Sequence, residues 1–214
     1  MRKTQIITDE HYHIFNRGVD KRNIFIDQED FSRFFESIHA FNTIEPIGSI
    51  YELSFNDQKP RKPYRRLVDF ICYAVHKNHY HFILKQLVDR GIEKFMHRLG
   101  LGYTMFFNNK HHRSGALFQG AYKAIHIDSN DYLLRVSAYI NLNHEVHQFG
   151  DRVSKYNGEF CRSSWLEYTG ESNVHGFCKK SIVLSQFKNT DEYQVFAKEA
   201  LQDILTKREL KDLL

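Results

Sequence analysis

Cysteine, proline and long apolar runs are all scarce in this 214-residue chain, which has three cysteines and three prolines. The cysteines are odd in number and widely spaced, with no Cys-x-x-Cys pair, which excludes a disulfide framework and a zinc finger. No stretch is long and apolar enough for a membrane span, and the opening MRKTQIITDEHYH lacks the apolar core of a signal peptide. We therefore expect a cytoplasmic protein that is neither exported nor inserted in a membrane.

Neither positive nor negative charge clearly predominates in the sequence. The chain carries 30 Lys and Arg against 26 Asp and Glu, a net charge of +4. An excess this small favours a nucleic-acid partner only where the basic residues cluster. The hydrophobic content of 42% is enough for a packed core, so extensive disorder is not expected.

Hydrophobic patterning predicts an α+β fold. The apolar segments LVDFICYAVH and HYHFILK are separated by Lys77 and Asn78, which predicts an antiparallel hairpin with a tight turn. Asp27 is the expected cap of an early helix, and a later helix is predicted over 130–147. The order of elements indicates a ferredoxin-like or RNA-recognition-motif-like antiparallel sheet, with helices packed on one face and the other face left for a ligand.

The chain divides near Gly150, where the regular alternation of apolar segments stops. We expect one main domain over 1–150. The remainder, 151–214, is predicted to be an extension with an irregular segment and a final amphipathic helix that packs on the core.

A His-aromatic-His triplet occurs twice, at His11 and His13 and again at His79 and His81. On a strand the two histidines of a triplet project from one face, where neutral imidazoles suit a first-row divalent metal. Alternating polar residues on a half-solvated strand explain either triplet equally well, and the spacing does not separate them. The position of the second triplet in the most apolar hairpin favours it as the rigid site.

A second constellation lies on the predicted helix over 130–147. Tyr139 and Asn143 are four residues apart, so they share a helix face beside the apolar stripe of Val136 and Ile140. Asn143 would complete a His-His-Asn metal site, and Tyr139 would present a phenol to it. A core tyrosine without a chemical role is the simpler alternative in a chain with twelve tyrosines.

The motifs NHYHFIL, MHRLGLGYTMFFNNKHHRSGALFQGAYKA and DYLLRVSAYINLN resemble those of the HUH tyrosine transposases, and most closely the REP-associated tyrosine transposases. The opening HYHIFNRGVDKRNIF and the later RSSWLEYTG are similar to segments of the same family. The resemblance implies that Tyr139 is the nucleophile and that His79, His81 and Asn143 bind Mg²⁺ or Mn²⁺. It assigns the first triplet to the family's first strand and not to the metal. The chain departs from the family pattern at His144, where proline is usual, and in the VHKN segment, which lacks the common Met-Pro.

The resemblance also implies a function. Residues 1–150 would form the catalytic domain of a metal-dependent single-stranded DNA endonuclease and strand transferase that makes a 5′-phosphotyrosine intermediate at or near DNA hairpins. The implied partners are single-stranded DNA with a hairpin, or palindromic repeat, and a second copy of the chain in a homodimer. A nucleoid-associated location in the cytoplasm follows. Two alternatives stay open: a non-catalytic hairpin-binding regulator with the same fold, and a metal phosphodiesterase that uses water.

Basic residues mixed with aromatic ones form three short clusters along the chain, which is the composition expected of a surface that follows a nucleic-acid strand. The candidate DNA-binding residues are Arg17, Lys21, Arg22, Arg61, Lys62, Tyr64, Arg65, Arg66, Lys110, Arg113 and Lys123.

Overall fold

The computed structural model describes residues 5–45, 65–145, 161–171 and 176–207. The weak strand pattern in IGSIYELSF lies outside these residues. No helix in the described ranges is long and apolar enough to cross a membrane. The elements, in chain order, are β1 (His11–Arg17), a 3₁₀ turn (Val19–Lys21), α1 (Gln28–Phe41), β2 (Val68–His76), β3 (His79–Gln86), α2 (Gly91–Lys110), β4 (Lys123–Ile127), α3 (Asn130–Asn141), β5 (Cys161–Ser163), α4 (Trp165–Thr169), α5 (Ser181–Leu184) and α6 (Thr190–Lys207).

The five strands form one antiparallel sheet in the order β4-β1-β3-β2-β5. Its first four strands, with α1 and α2, have the β-α-β-β-α-β order of a ferredoxin-like fold. The predicted α+β class is confirmed. Strand β5, which follows the predicted division at Gly150, adds one more strand beside β2.

Local sequence signals account for several element boundaries. The Asp27 side chain accepts a hydrogen bond from the backbone N–H of Asp30, and the Asp30 carboxylate accepts one in return, a complete capping box. Strands β2 and β3 pair across Lys77 and Asn78, as the hairpin prediction requires. Helix α3 begins after Ser129, whose hydroxyl accepts the backbone N–H of Tyr132.

Helices cover both faces of the sheet, which differs from the prediction that they pack on one face. One core joins α1 and α2 to alternate sheet residues such as Tyr80 and Phe82. The other joins α3 and α6 to the opposite residues, such as Ile83 and Ala74. The physical reason lies in β3, which is buried along almost its whole length and therefore has an apolar surface to cover on each side.

The helix predicted over 130–147 is interrupted. Helix α3 ends at Asn141, Leu142 takes a non-helical conformation as its cap, and a new helical segment begins at Asn143. Helix α6 packs beside α3 through Tyr193, whose hydroxyl accepts a hydrogen bond from the Asn141 side chain at 2.8 Å. The carboxyl end of α3 is therefore tied to the C-terminal part of the chain.

Candidate functional site

The second His-aromatic-His triplet lies on β3 at the centre of the sheet. Tyr80 and Phe82 enter the core under α1 and α2, so His79 and His81 project to the opposite face, where α3 packs. Both imidazoles are buried. The structure therefore brings the predicted histidines to one face of a rigid central strand.

Tyr139 meets this face from α3. Its ring contacts the His81 ring edge to face, with 5.7 Å between the centroids, and no part of Tyr139 is exposed. The apolar stripe of α3, which includes Val136 and Ile140, shares one core with the sheet and fixes the direction of the phenol. The predicted nucleophile and one predicted metal ligand are thus in direct contact.

Burial and two neighbouring groups act in opposite directions on the pKa of the Tyr139 phenol. Burial raises the pKa of Tyr139 to about 12, while the adjacent Asn143 amide and the positive charge of Arg17 oppose that rise. Arg17 ends β1 directly opposite His79 in the β1–β3 register. A cation and an amide therefore already lie near the phenol, in the direction that eases loss of its proton.

Asn143 is completely buried one turn beyond Tyr139. Both polar atoms of its amide, and the Tyr139 hydroxyl, lack a hydrogen bond within the part of the chain that the structure describes. Buried polar groups are nearly always paired, and leaving one unpaired costs about 1–3 kcal/mol. These three atoms lie together, so they mark a place where a ligand or ion would supply the missing partners.

The tautomer of His79 is set by its neighbour in the hairpin turn. The His79 Nδ1 lies 2.6 Å from the Oδ1 of Asn78, an amide oxygen that can only accept. Nδ1 therefore carries the proton and donates it, which leaves the lone pair on Nε2, the atom that can bind a metal.

His81 has a hydrogen bond of a different kind. Its Nδ1 lies 2.9 Å from the Nε2 of His13, in the first triplet. His13 is fully buried, and burial lowers its pKa to about 3. Phe15 stacks on both imidazoles, with centroid distances of 4.8 Å to His13 and 5.6 Å to His81.

The donor set fits a divalent cation. The imidazoles of His79 and His81 and the amide oxygen of Asn143 are neutral ligands of the types that first-row metals accept, and the mixture suits Mn²⁺ better than the oxygen-preferring Mg²⁺. The unpaired amide of Asn143 is the feature that supports the fit, because a cation would satisfy its buried oxygen.

A second group of potential ligands, Asp27, Asp30 and His111, lies on the other side of the sheet, where α1 meets α2. The ammonium of Lys110 already lies 2.6 Å from the Asp27 carboxylate and 3.1 Å from that of Asp30. The Asp30 carboxylate also accepts the backbone N–H of Ile26. This cluster caps α1, and Lys110 partly neutralises its carboxylates, which explains it without a metal.

The predicted DNA-binding residues fall in three groups. Lys123 is exposed on β4, with its ammonium 5.6 Å from the centre of the Phe15 ring, on the same face as the histidines. Lys110 is held by carboxylates, and Arg113 lies over the Phe107 ring. Arg17 at the end of β1 is half-buried. Lys21, Arg22, Arg65 and Arg66 are exposed, and Arg61, Lys62 and Tyr64 lie outside the described residues.

Sequence reasoning missed residues that reach the site from other strands. His13 and Phe15 on β1 contact His81, and His76 on β2 stacks on His79 with 4.6 Å between the ring centroids. The signal that could have found them is topological: in a ferredoxin-like order β1 lies next to β3, which sets one triplet beside the other.

Comparisons with known proteins give one structural likeness. No protein-family model and no curated protein matches the chain. Among solved structures, this one is similar to a REP-associated tyrosine transposase bound to a REP hairpin, with 12% sequence identity and a TM-score of 0.48. The match covers 86% of this chain and 89% of that chain. That protein belongs to the family that the sequence motifs resemble, but a likeness of this size carries no conclusion about function, which has to come from the chain's own residues.

Proposed function

We propose that the chain is a metal-dependent single-stranded DNA endonuclease and strand transferase, a transposase that uses Tyr139 as its nucleophile. The observation that carries the proposal is the Tyr139 phenol, buried against His81 and close to the Asn143 amide, with no hydrogen bond of ordinary distance and angle among the described residues. Other buried tyrosines do pair: the Tyr103 and Tyr168 hydroxyls donate to backbone carbonyls at 2.6 Å and 2.9 Å. A purely structural Tyr139 would be expected to do the same.

Two chemical obstacles oppose this reaction: the weak nucleophilicity of the phenol and the negative charge of the phosphodiester. A phenol is a weak nucleophile near neutral pH, and the pKa of about 12 makes Tyr139 weaker still. A divalent cation held by His79, His81 and Asn143 would neutralise the phosphodiester and favour loss of the phenol proton. The Arg17 side chain, whose charge already acts on Tyr139, would work in the same direction.

The proposed reaction is a displacement at phosphorus by the Tyr139 oxygen. The Tyr139 oxygen bonds to phosphorus as its proton leaves to solvent, and the bond from phosphorus to the 3′ oxygen breaks. The 3′ oxygen takes up a proton and becomes a free 3′-OH, while the 5′ side stays on the protein as a phosphotyrosine. Attack by another strand's 3′-OH reverses these changes and rejoins DNA without a further energy source.

The substrate in this proposal is single-stranded DNA beside a hairpin. Arg17 and Lys123 lie on the site face, and the exposed Lys21 and Arg22 follow β1 directly, so a strand that reaches Tyr139 would pass several cations. The division into a catalytic domain at 1–150 and an extension at 151–214, a homodimer and a nucleoid-associated location in the cytoplasm belong to the same proposal.

One observation favours a second candidate, the non-catalytic hairpin-binding regulator. Tyr139 is completely covered, so a scissile phosphate reaches the phenol only if side chains around it move. A regulator would need no such movement.

Covalent capture separates these candidates. The protein is incubated with Mn²⁺ or Mg²⁺ and hairpin-flanked oligonucleotides labelled at either end, and the products are run on a denaturing gel. The 3′ label should become attached to protein, while the 5′ label is released on a fragment with a 3′-OH. Tyr139→Phe and His81→Ala should give no adduct, and Tyr132→Phe, on the same helix, should behave as wild type.

Other outcomes identify the alternatives. Tight hairpin binding with no adduct and no nick under either metal would establish the regulator. Cleavage that persists in Tyr139→Phe without an adduct would establish a phosphodiesterase that uses water.

A further inference from the structure

His13 of the first His-aromatic-His triplet and His81 of the second are parts of one site. Strands β1 and β3 are adjacent and antiparallel, and the register places His13 opposite Ile83 and Phe15 opposite His81. His13 and His81 are therefore diagonal neighbours on the same face. Their rings lie 5.2 Å apart at an angle of 22°, and one hydrogen bond joins them.

That hydrogen bond determines which nitrogen of His81 is available. One proton lies between His13 Nε2 and His81 Nδ1, and either ring can be its donor. If His13 accepts, His81 is protonated on Nδ1 and its lone pair is on Nε2. If His13 donates, His81 carries its proton on Nε2 and cannot bind a metal through that atom.

We infer that His13 is a positioning residue for His81: it accepts the His81 Nδ1–H and holds the Nε2 lone pair toward the metal position. The inference rests on the proposed function, since it concerns the same site. His13 is suited to this role because it is buried and neutral, and because the Phe15 ring stacks on both imidazoles and fixes their planes. A carboxylate in its place would add a buried charge.

The matching arrangement at His79 supports the inference. There the Asn78 amide oxygen accepts the Nδ1–H. With His13 in the same role, each imidazole of the second triplet has its own acceptor on Nδ1 and the same tautomer. Partners of this kind orient metal-binding histidines in proteins generally, and their removal typically weakens metal affinity about 10–100-fold.

Metal titration of three variants tests the role. A glutamine can place its amide oxygen near the position of an imidazole Nε2, so His13→Gln keeps the acceptor, whereas His13→Met removes it. His11→Met is the matched control, because His11 lies two residues away on the same strand, opposite Lys85. We expect Mn²⁺ affinity, followed by electron paramagnetic resonance, to fall about 10–100-fold in His13→Met and to stay near the wild-type value in His13→Gln and His11→Met.

A spectroscopic measurement on the wild-type chain covers the case in which a variant fails to fold. Nitrogen-15 NMR of the imidazoles with Mg²⁺ present should show His81 protonated on Nδ1. Protonation on Nε2 would overturn the inference.

The titration also distinguishes failure of the proposed role of His13 from failure of the proposed function. Wild type that binds Mn²⁺, with His13→Met binding as tightly, would overturn the inference alone. Equal losses in His13→Gln and His13→Met would also overturn it, and would make His13 a ligand in its own right. Wild type that binds no divalent metal would remove the proposed function together with this inference.

Discussion

Tyr103, Tyr139 and Tyr168 are all buried in this protein, and they differ in what their hydroxyls contact. Tyr103 and Tyr168 donate to backbone carbonyls, which is how a core tyrosine usually satisfies its polar atom. Tyr139 instead lies beside the unpaired amide of Asn143. At the residue scale, this difference in hydrogen bonding distinguishes the proposed nucleophile from two tyrosines that hold the core together.

Asn143→Leu should separate stability from function at this site. Leucine fills a similar volume without buried polar atoms, so the metal-free variant should unfold at a temperature equal to or above that of wild type, because an unpaired buried polar group costs about 1–3 kcal/mol. The same variant should lose Mn²⁺ binding. Thermal unfolding followed by circular dichroism, with and without Mn²⁺, measures both effects.

A clearly lower unfolding temperature for metal-free Asn143→Leu would contradict this account of the residue. It would mean that the amide has a structural partner. Asn143→Asp provides the matching control, since it keeps an oxygen ligand and should retain Mn²⁺ binding.

Elements formed by local signals were predictable from the sequence, and those set by distant contacts were not. The hairpin across Lys77 and Asn78 and the helix capped by Asp27 depend on neighbouring residues, and both are confirmed. The cover on the second sheet face comes from α3, which packs on β2 and β3 and is itself covered by α6, far along the chain. The contact between His13 and His81 depends on strand order, so spacing within either triplet could not reveal it.

Helix α2 contains two glycines that should respond in opposite directions to alanine. A Cβ on Gly102 would lie 2.6 Å from the Phe41 ring of α1, whereas nothing lies within 4 Å of a Cβ on Gly100. Gly102→Ala should therefore destabilise the fold by about 1–3 kcal/mol through overpacking. Gly100→Ala should stabilise it by about 0.5–1 kcal/mol, since alanine is the better helix former.

Urea unfolding of the two variants checks the helix prediction. Equal shifts in the same direction would contradict the close packing of α1 on α2 at Gly102. Both positions lie in one helix, so helix propensity alone would change the free energy of unfolding in the same direction for the two variants.

At the scale of the whole molecule, the sheet joins two cores. Cys72 is buried within one of them, whereas Cys161 and Cys178 are half-buried. Burial raises the pKa of Cys161 to about 12 and raises the pKa values of Cys72 and Cys178 as well. None is in a disulfide. The cysteine spacing gives no indication of how far each thiol is buried, because that depends on tertiary packing.

The native protein should therefore show no fast-reacting thiol near pH 8. The thiolate is the reactive form, and a raised pKa keeps each cysteine protonated until the pH approaches that pKa, so labelling should speed up as the pH rises. Reaction with a disulfide reagent, followed by absorbance, measures the rate. All three cysteines should react quickly once the protein is unfolded in guanidinium chloride.

A cysteine that reacts at the rate of a small free thiol in the native protein would contradict the packing of the core to which it belongs. Cys161 is the most informative of the three. It lies on β5, opposite His76, and its Sγ is 3.4 Å from the His76 Nε2.

The central claim is that Tyr139 forms a covalent bond to DNA, and peptide mapping tests it most directly. The wild-type protein is incubated with Mn²⁺ and a hairpin-flanked oligonucleotide, the DNA and protein are digested, and mass spectrometry locates the peptide that retains a nucleotide. The account predicts a 5′-phosphonucleotide on Tyr139. A nucleotide on any other residue, or tight hairpin binding with no modified peptide at all, would contradict it.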